Sequence, residues 1–288
     1  MFRAIKSLIA AAASLAVVSM ASADDVYGLT ATAQLVRFNS ATPNLIQFTS
    51  PAITGLVGGD SIVDIDYYPV NGQLYGIGNT TGTLYNINPL TGFATIDVVP
   101  QSSLGSPTDM DFNPAADRLR VFSTGDQNFR MTPSVNTAGP TGANAGLVTA
   151  DGMLMYAPMT PNPDLVANAY TNNFDGTPTT ALYSIDTDSD TLVLHSGAPQ
   201  FSILNTVGPL GFGVGSLVGF DISAANFALV SDRNTLYTVN LATGQLTLAG
   251  IIGTPGGALD VTTIAIIPAP SAIALLGLGS LVIARRRR

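Results

Sequence analysis

The chain has 288 residues, 46% hydrophobic and only 10% charged, with 29 Gly, 18 Pro and a formal net charge of −8. It is too apolar for a disordered chain and long enough to bury a sizeable core. The absence of cysteine excludes a disulfide framework and any thiolate metal site.

At the N-terminus, Arg3 and Lys6 precede an apolar run from Leu8 to Met20, and Ala21-Ser22-Ala23 follows directly. A short basic region, a short apolar stretch and a small-x-small site predict a signal peptide over residues 1–23. Signal peptidase, reading Ala21 and Ala23, would cut before Asp24. The chain is therefore expected to be exported.

The body, residues 24–267, carries 19 Asp and no Glu against five Arg (Arg37, Arg118, Arg120, Arg130 and Arg233), a net charge of −14. Nucleic acid is excluded as a partner, because phosphate binding needs clustered Lys and Arg. Glu and Lys are good helix formers, whereas Asp, Asn, Gly, Thr and Pro favour turns and strand ends. A body lacking the helix-forming charged pair is predicted to be all-β.

That body repeats. DIDYYPVNGQLYGI (64–77) aligns without gaps on DMDFNPAADRLRVF (109–122), matching Asp64 with Asp109 and Asp66 with Asp111. A second element recurs as LVRFNSATP, LYNINPLTG, FRMTPSVNT, LYSIDTDSD and LYTVNLATG, starting at residues 35, 84, 129, 182 and 236. Each copy reads as a strand, a turn and a return strand. One hairpin cannot bury its apolar face alone, so the copies must close into a ring. A period of about 40–50 residues built from short strands predicts a β-propeller of five blades, with a sixth, degenerate blade allowed around 140–175. GGALDVTTIAII (256–267) has no following repeat and is expected to close the ring against the first blade. A β-sandwich would leave the period unexplained.

Several stretches bear on chemistry. Asp186, Asp188 and Asp190 place carboxylates at alternate positions, a calcium-loop arrangement. However, Thr191 and Gly197 stand where an EF-hand would have its Gly and its bidentate acid, and an Asp-rich hairpin turn explains the spacing as well. Asp64/Asp66 and Asp109/Asp111 each put two carboxylates on one strand face. Their recurrence with the blade favours a structural role, bonding backbone between blades, with Asp117, Arg118 and Arg120 as an accompanying ionic network. His195 is the only histidine, so a His-rich zinc site is excluded and a Ser-His-Asp triad would rest wholly on it. GVGSLVG (213–219) lacks the first Gly of a nucleophile elbow, and GFGVGS (211–216) lacks the last Gly of a dinucleotide loop. Both read as the loop before the strand LVGFDI.

The C-terminus, residues 268–288, joins Pro268-Ala269-Pro270 to an apolar stretch from Ser271 to Ala284 and then to Arg285, Arg286, Arg287 and Arg288. As a helix the stretch would be ~21 Å long against a ~30 Å hydrocarbon core, a marginal span. The arginines would hold that end in the cytoplasm and leave the body outside.

This tail resembles the PEP-CTERM protein-sorting domain of exported bacterial proteins, with Ala269 in place of the central Glu. The resemblance implies an intermediate tethered in the inner membrane of a Gram-negative-type bacterium and processing by an exosortase-type transpeptidase. Delivery to the cell surface or extracellular matrix would follow. The body, through NGQLYGI, LYNINPLTG, DFNPAADRLRV, NAYTN, TALYSID and VGFDIS, is similar to an uncharacterised family of exported propeller-like proteins of unknown function. Together these features predict a surface or matrix binding or structural module acting on exopolysaccharide or surface proteins. It needs no cofactor beyond calcium as a candidate. The alternative is an exported metal-dependent hydrolase or lactonase-like enzyme with its site in the propeller channel.

Overall fold

The computed structural model describes residues 24–134, 144–157 and 162–268. The predicted signal peptide and most of the sorting tail lie outside them. Among the described residues no helix is long and apolar enough to cross a membrane, and all regular structure is β.

The strands form five sheets and one small hairpin. Blade 1 takes β1 (Asp25–Leu29), β2 (Gln34–Asn39) and β3 (Phe48–Ala52). Blade 2 is β4 (Ile62–Tyr68), β5 (Gln73–Gly78), β6 (Leu84–Ile87) and β7 (Ala94–Val98). Blade 3 is β8 (Pro107–Asn113), β9 (Arg118–Ser123), β10 (Gln127–Met131) and β11 (Val148–Met153). A two-residue strand, β12 (Met155–Tyr156), crosses to the outer edge of blade 4 and pairs there in parallel. Blade 4 itself is β13 (Leu165–Tyr170), β14 (Leu182–Asp186), β15 (Thr191–Ser196) and β16 (Ile203–Pro209). Blade 5 is β17 (Val218–Ile222), β18 (Ala228–Asp232), β19 (Thr235–Val239) and β20 (Leu246–Ile251). The hairpin β21 (Gly253–Thr254) and β22 (Gly257–Ala258) then leads to β23 (Thr263–Ile266).

The predicted closure occurs. β23 pairs antiparallel with β1, from Val26 opposite Ile266 to Leu29 opposite Thr263, and becomes the innermost strand of blade 1. β4, β8, β13, β17 and β23 each contact the next and make a closed ring of inner strands. Gly219 in β17 marks how closely the last joint fits. A Cβ there would lie 2.5 Å from the Ile264 nitrogen and 2.7 Å from the Thr263 Cα, so only glycine lets blade 5 meet the closing strand.

The core lies between blades, because each sheet has two faces to cover. Ile65 and Tyr67 of β4 pack towards blade 1, among Tyr27, Leu29 and Leu35. Tyr68 packs the other way, with Met110 and Phe112 of blade 3. Strand alternation then puts Asp64 and Asp66 on the blade 3 side as well.

Two expectations are corrected. Among the described residues of the segment allowed for a sixth blade, Val148–Met153 completes blade 3 and Leu165–Tyr170 opens blade 4. LYSIDTDSD is also one strand out of phase. The other four copies fall on the third strand of their blades, whereas Leu182–Asp186 is the second strand of blade 4. The repeat is a hairpin signature, and two successive hairpins of one sheet share the same local pattern.

Candidate functional site

The leading ends of the five inner strands surround a cavity of about 430 Å³ at one mouth of the central channel. Its wall is largely apolar, with Ile62, Val63, Leu165, Val166, Leu217 and Val218, and its polar groups include Asp64, Asp109, Asp164 and Thr263. Below the mouth, five carboxylates converge: Asp64, Asp66, Asp109, Asp111 and Asp221 are each at most 5% exposed.

These carboxylates join blades as the sequence pattern suggested. Asp64 accepts the Met110 N–H (2.7 Å), and Asp66 accepts that of Phe112 (2.9 Å). Asp111 accepts the Tyr170 N–H, and Asn168 donates its side-chain amide to Asp109. Asp221 takes the Ile266 N–H at 2.5 Å, which ties blade 5 to the closing strand. Thr263 of that strand donates its hydroxyl to Asp64.

The offset between acceptor and donor is constant around the ring. By that offset Asp66, Asp111 and Asp221 share one level of the channel with Ala169 and Ala265. Ala169 offers blade 5 no carboxylate, and the Ile222 N–H turns instead to Asp221 at 2.6 Å.

No arginine balances this charge. Among the described residues the ion pairs are Arg37–Asp25, Arg120–Asp151, Arg130–Asp151 and Arg233–Asp260, and Arg118 donates to the carbonyls of Ala116 and Asp117. Burial therefore dominates the acidities. It pushes Asp66, Asp109 and Asp111 well above the usual carboxylate range, reinforced by the neighbouring carboxylates. Asp64 is raised by burial despite its hydrogen bonds, and burial lifts Asp221 to about 7. Burial thus favours the neutral carboxyl over the carboxylate at each of these five positions.

The other candidates fall elsewhere. Asp186 is buried at the end of β14 with both oxygens engaged by the protein itself. One accepts the N–H groups of Asp164 and Asp188 (both 3.1 Å), and the other the hydroxyls of Tyr156 (2.6 Å) and Ser189 (2.9 Å). Asp188 and Asp190 belong to the turn that follows, Asp190 at φ 49°. Among the described residues, the three carboxylates close enough to share one ion are Asp66, Asp111 and Asp221, not Asp186, Asp188 and Asp190. The ionic network expected around Arg120 includes Asp151, which was not singled out from sequence. Asp221, Asn168 and Thr263 were not singled out from sequence. The signal for Asp221 was GFDI, which matches DIDY with Gly219 at the first Asp.

His195 is buried between blades 3 and 4, its ring stacked 5.6 Å from Phe122. Nδ1 lies 2.7 Å from the Phe201 carbonyl and must donate to it, so Nε2 accepts the Ser184 hydroxyl at 2.7 Å. Both residues are sealed from the mouth. Burial depresses the imidazole to about 3, aided by nearby Arg120. The folded ring stays neutral while the unfolded one protonates below about 6.5. This contribution to stability is complete above pH 6.5 and is lost as pH falls towards 3, at up to about 1.4 kcal/mol per pH unit. The channel carboxyls act in the opposite sense, so the contrast with a variant isolates the histidine. Urea midpoints at pH 7 and 5 should fall further in wild type than in His195→Gln. Equal slopes would show that the ring is protonated in the fold.

Residues 34–265 match the family described as a domain of unknown function, DUF4394. The chain belongs to this family. The DUF4394 match reaches from β2 to Ala265 and takes in all five channel carboxylates. No curated protein sequence matches the chain. One similar solved structure is of a symmetrical protein whose de novo evolutionary emergence is shaped by folding constraints. It is 13% identical, with 86% of this chain and all of that one covered, at a TM-score of 0.50. Another is a protein of unknown function from Bacteroides thetaiotaomicron, also 13% identical at a TM-score of 0.50, with 86% of this chain and 68% of that one covered. At such identities the likeness concerns the fold alone.

Proposed function

We propose that this DUF4394 chain is an exported binding module that takes a small amine-bearing ligand at the acidic mouth of its channel. The observation that carries this is the cavity of about 430 Å³, largely apolar in its wall and floored by Asp64 and Asp109. Its ionisable lining groups, Asp64, Asp109 and Asp164, are all acidic. A ligand with a short apolar body and a cationic or donor-rich head complements such a pocket. Asp64 and Asp109 are held in place by Met110, Thr263 and Asn168, which suits fixed acceptors better than groups that must move during a reaction.

Sorting by the tail accords with the positions of the chain ends. β1 begins at Asp25, β23 ends at Ile266, and the Ile267 N–H bonds the Asp25 carbonyl. Cleavage before Asp24 and near Pro268 would remove nothing from the ring. β23 enters at the mouth with Thr263 and leaves at the opposite pole. A membrane-tethered intermediate would thus hold its mouth away from the bilayer before release to the surface or matrix.

Binding is tested by thermal shift against small amines, neutral sugars and carboxylates that fit the cavity. Amines should raise the Tm and carboxylates should not. Asp109→Asn should weaken amine binding roughly ten- to a hundred-fold through loss of a charge-assisted bond. Preference for anions, or no binder in any class, would overturn the reading. For sorting, mass spectrometry of surface protein should find an N-terminus at Asp24 and no Arg285–Arg288; a retained Arg288 would sink it.

A further inference from the structure

The level of the channel below the mouth has a different chemistry. Asp66, Asp111 and Asp221 each present a carboxylate oxygen, and the three oxygens lie within 4.8 Å of one another. Oxygens bound around one calcium ion at about 2.4 Å are at most about 4.8 Å apart, so this spacing suits a single hard cation.

A second observation is independent of the clustering. Asp66 is 2% exposed, yet its Oδ1 has no hydrogen-bond partner, while Oδ2 is engaged by Phe112. One step along the channel, Asn168 is 1% exposed and its Oδ1 is likewise unpartnered, while its amide nitrogen is engaged by Asp109. A buried acceptor without a donor is costly and rare in folded proteins. Both of these are oxygens, one a carboxylate and one an amide, the donor types that calcium and magnesium take. The remaining two positions at the Asp66 level, Ala169 and Ala265, contribute neither charge nor donor.

We infer that Asp66, Asp111 and Asp221 hold one divalent cation of the calcium class on the propeller axis, joining blades 2, 3 and 5. The ion would link three inner strands that are far apart in sequence, and so would fasten the ring from within. This site is separate from the ligand proposed for the mouth, and its test uses metal alone, so either proposal can fail without the other.

The test is calorimetric titration of calcium chloride into the purified, chelator-stripped protein, with Tm followed in parallel. About one equivalent should bind, and Tm should climb with calcium concentration. Asp66→Asn and Asp221→Asn should each weaken binding at least ten-fold with the β-sheet circular dichroism unchanged. Asp188→Asn combined with Asp190→Asn should have no effect. Folded wild type that takes up no calcium, magnesium or manganese at millimolar concentration would overturn the inference. So would binding that survives both channel substitutions. If the asparagine variants do not fold, terbium luminescence lifetimes of wild type in water and deuterated water decide. A buried site leaves the ion few waters, and a nearly full hydration shell would place it on the surface and refute the assignment.

Discussion

A chain ending at Asp260 is expected to lose the whole fold rather than one strand. β23 fills the inner position of blade 1, and its removal also strips a neighbour from blades 2 and 5. Val261, Ile264 and Ile266 are at most 4% exposed. At about 1.5–3 kcal/mol for each buried aliphatic side chain, their loss alone comes to roughly 5–9 kcal/mol. Typical domain stabilities are only about 5–15 kcal/mol. Asp221 would lose the Ile266 N–H, and Asp64 the Thr263 hydroxyl. Urea titration of the truncated chain should show no cooperative transition, and dyes that report exposed apolar surface should bind it. A sharp transition near the wild-type midpoint would mean that the ring closes without β23. Gly219→Ala probes the same joint more gently. Its methyl group meets backbone rather than a pliable side chain, so it should cost on the order of 1–3 kcal/mol.

The features legible in the sequence were those encoded locally. The apolar residues of LYNI, three of them buried, and the turn residues in NPLTG specify a hairpin wherever they occur, and their regular recurrence announced the blades. Phase within a blade was not legible. LYSID obeys the same local rule on the second strand of blade 4 as LYNI does on the third strand of blade 2. The inter-blade role of Asp64 and Asp109 could be read from their recurrence, since a residue repeated with the blade serves what every blade needs. Their meeting with Asp221 could not, because that carboxylate reaches the same channel only once blades 2 to 5 have been laid around an axis. Asp186, Asp188 and Asp190 show the converse. Alternation brings carboxylates together on a loop that wraps an ion, but here the chain turns Asp186 inward, and donors from Tyr156, Asp164, Asp188 and Ser189 fill both its oxygens. Local spacing showed a pattern of acids, whereas coordination depends on which of their oxygens the fold leaves free.

The second large effect concerns the joint between blades 3 and 4. The Arg120 guanidinium has no solvent exposure, and neither it nor Asp151 can turn to water. Its nitrogens donate to Asp151 (2.6 Å), Asn128 (2.7 Å), Tyr170 (3.1 Å) and the Pro199 carbonyl (3.0 Å), the last two in blade 4. Four of its five N–H donors are thereby used, and Asp151 supplies the only charge among their acceptors. Asp151 is better provided, because Arg130 also grips it through two bonds of 2.6 and 2.8 Å. The pair should therefore respond unequally to substitution. Asp151→Ala leaves a buried cation facing neutral acceptors and should cost about 3–5 kcal/mol. Arg120→Met fills much of the same volume and leaves Asp151 paired with Arg130, so its cost should be clearly smaller. Urea midpoints of the two variants, with the double variant closing the cycle, measure the difference. Equal costs would show that Arg130 does not compensate Asp151, and a negligible cost for Asp151→Ala would remove the ion pair from what holds these two blades together.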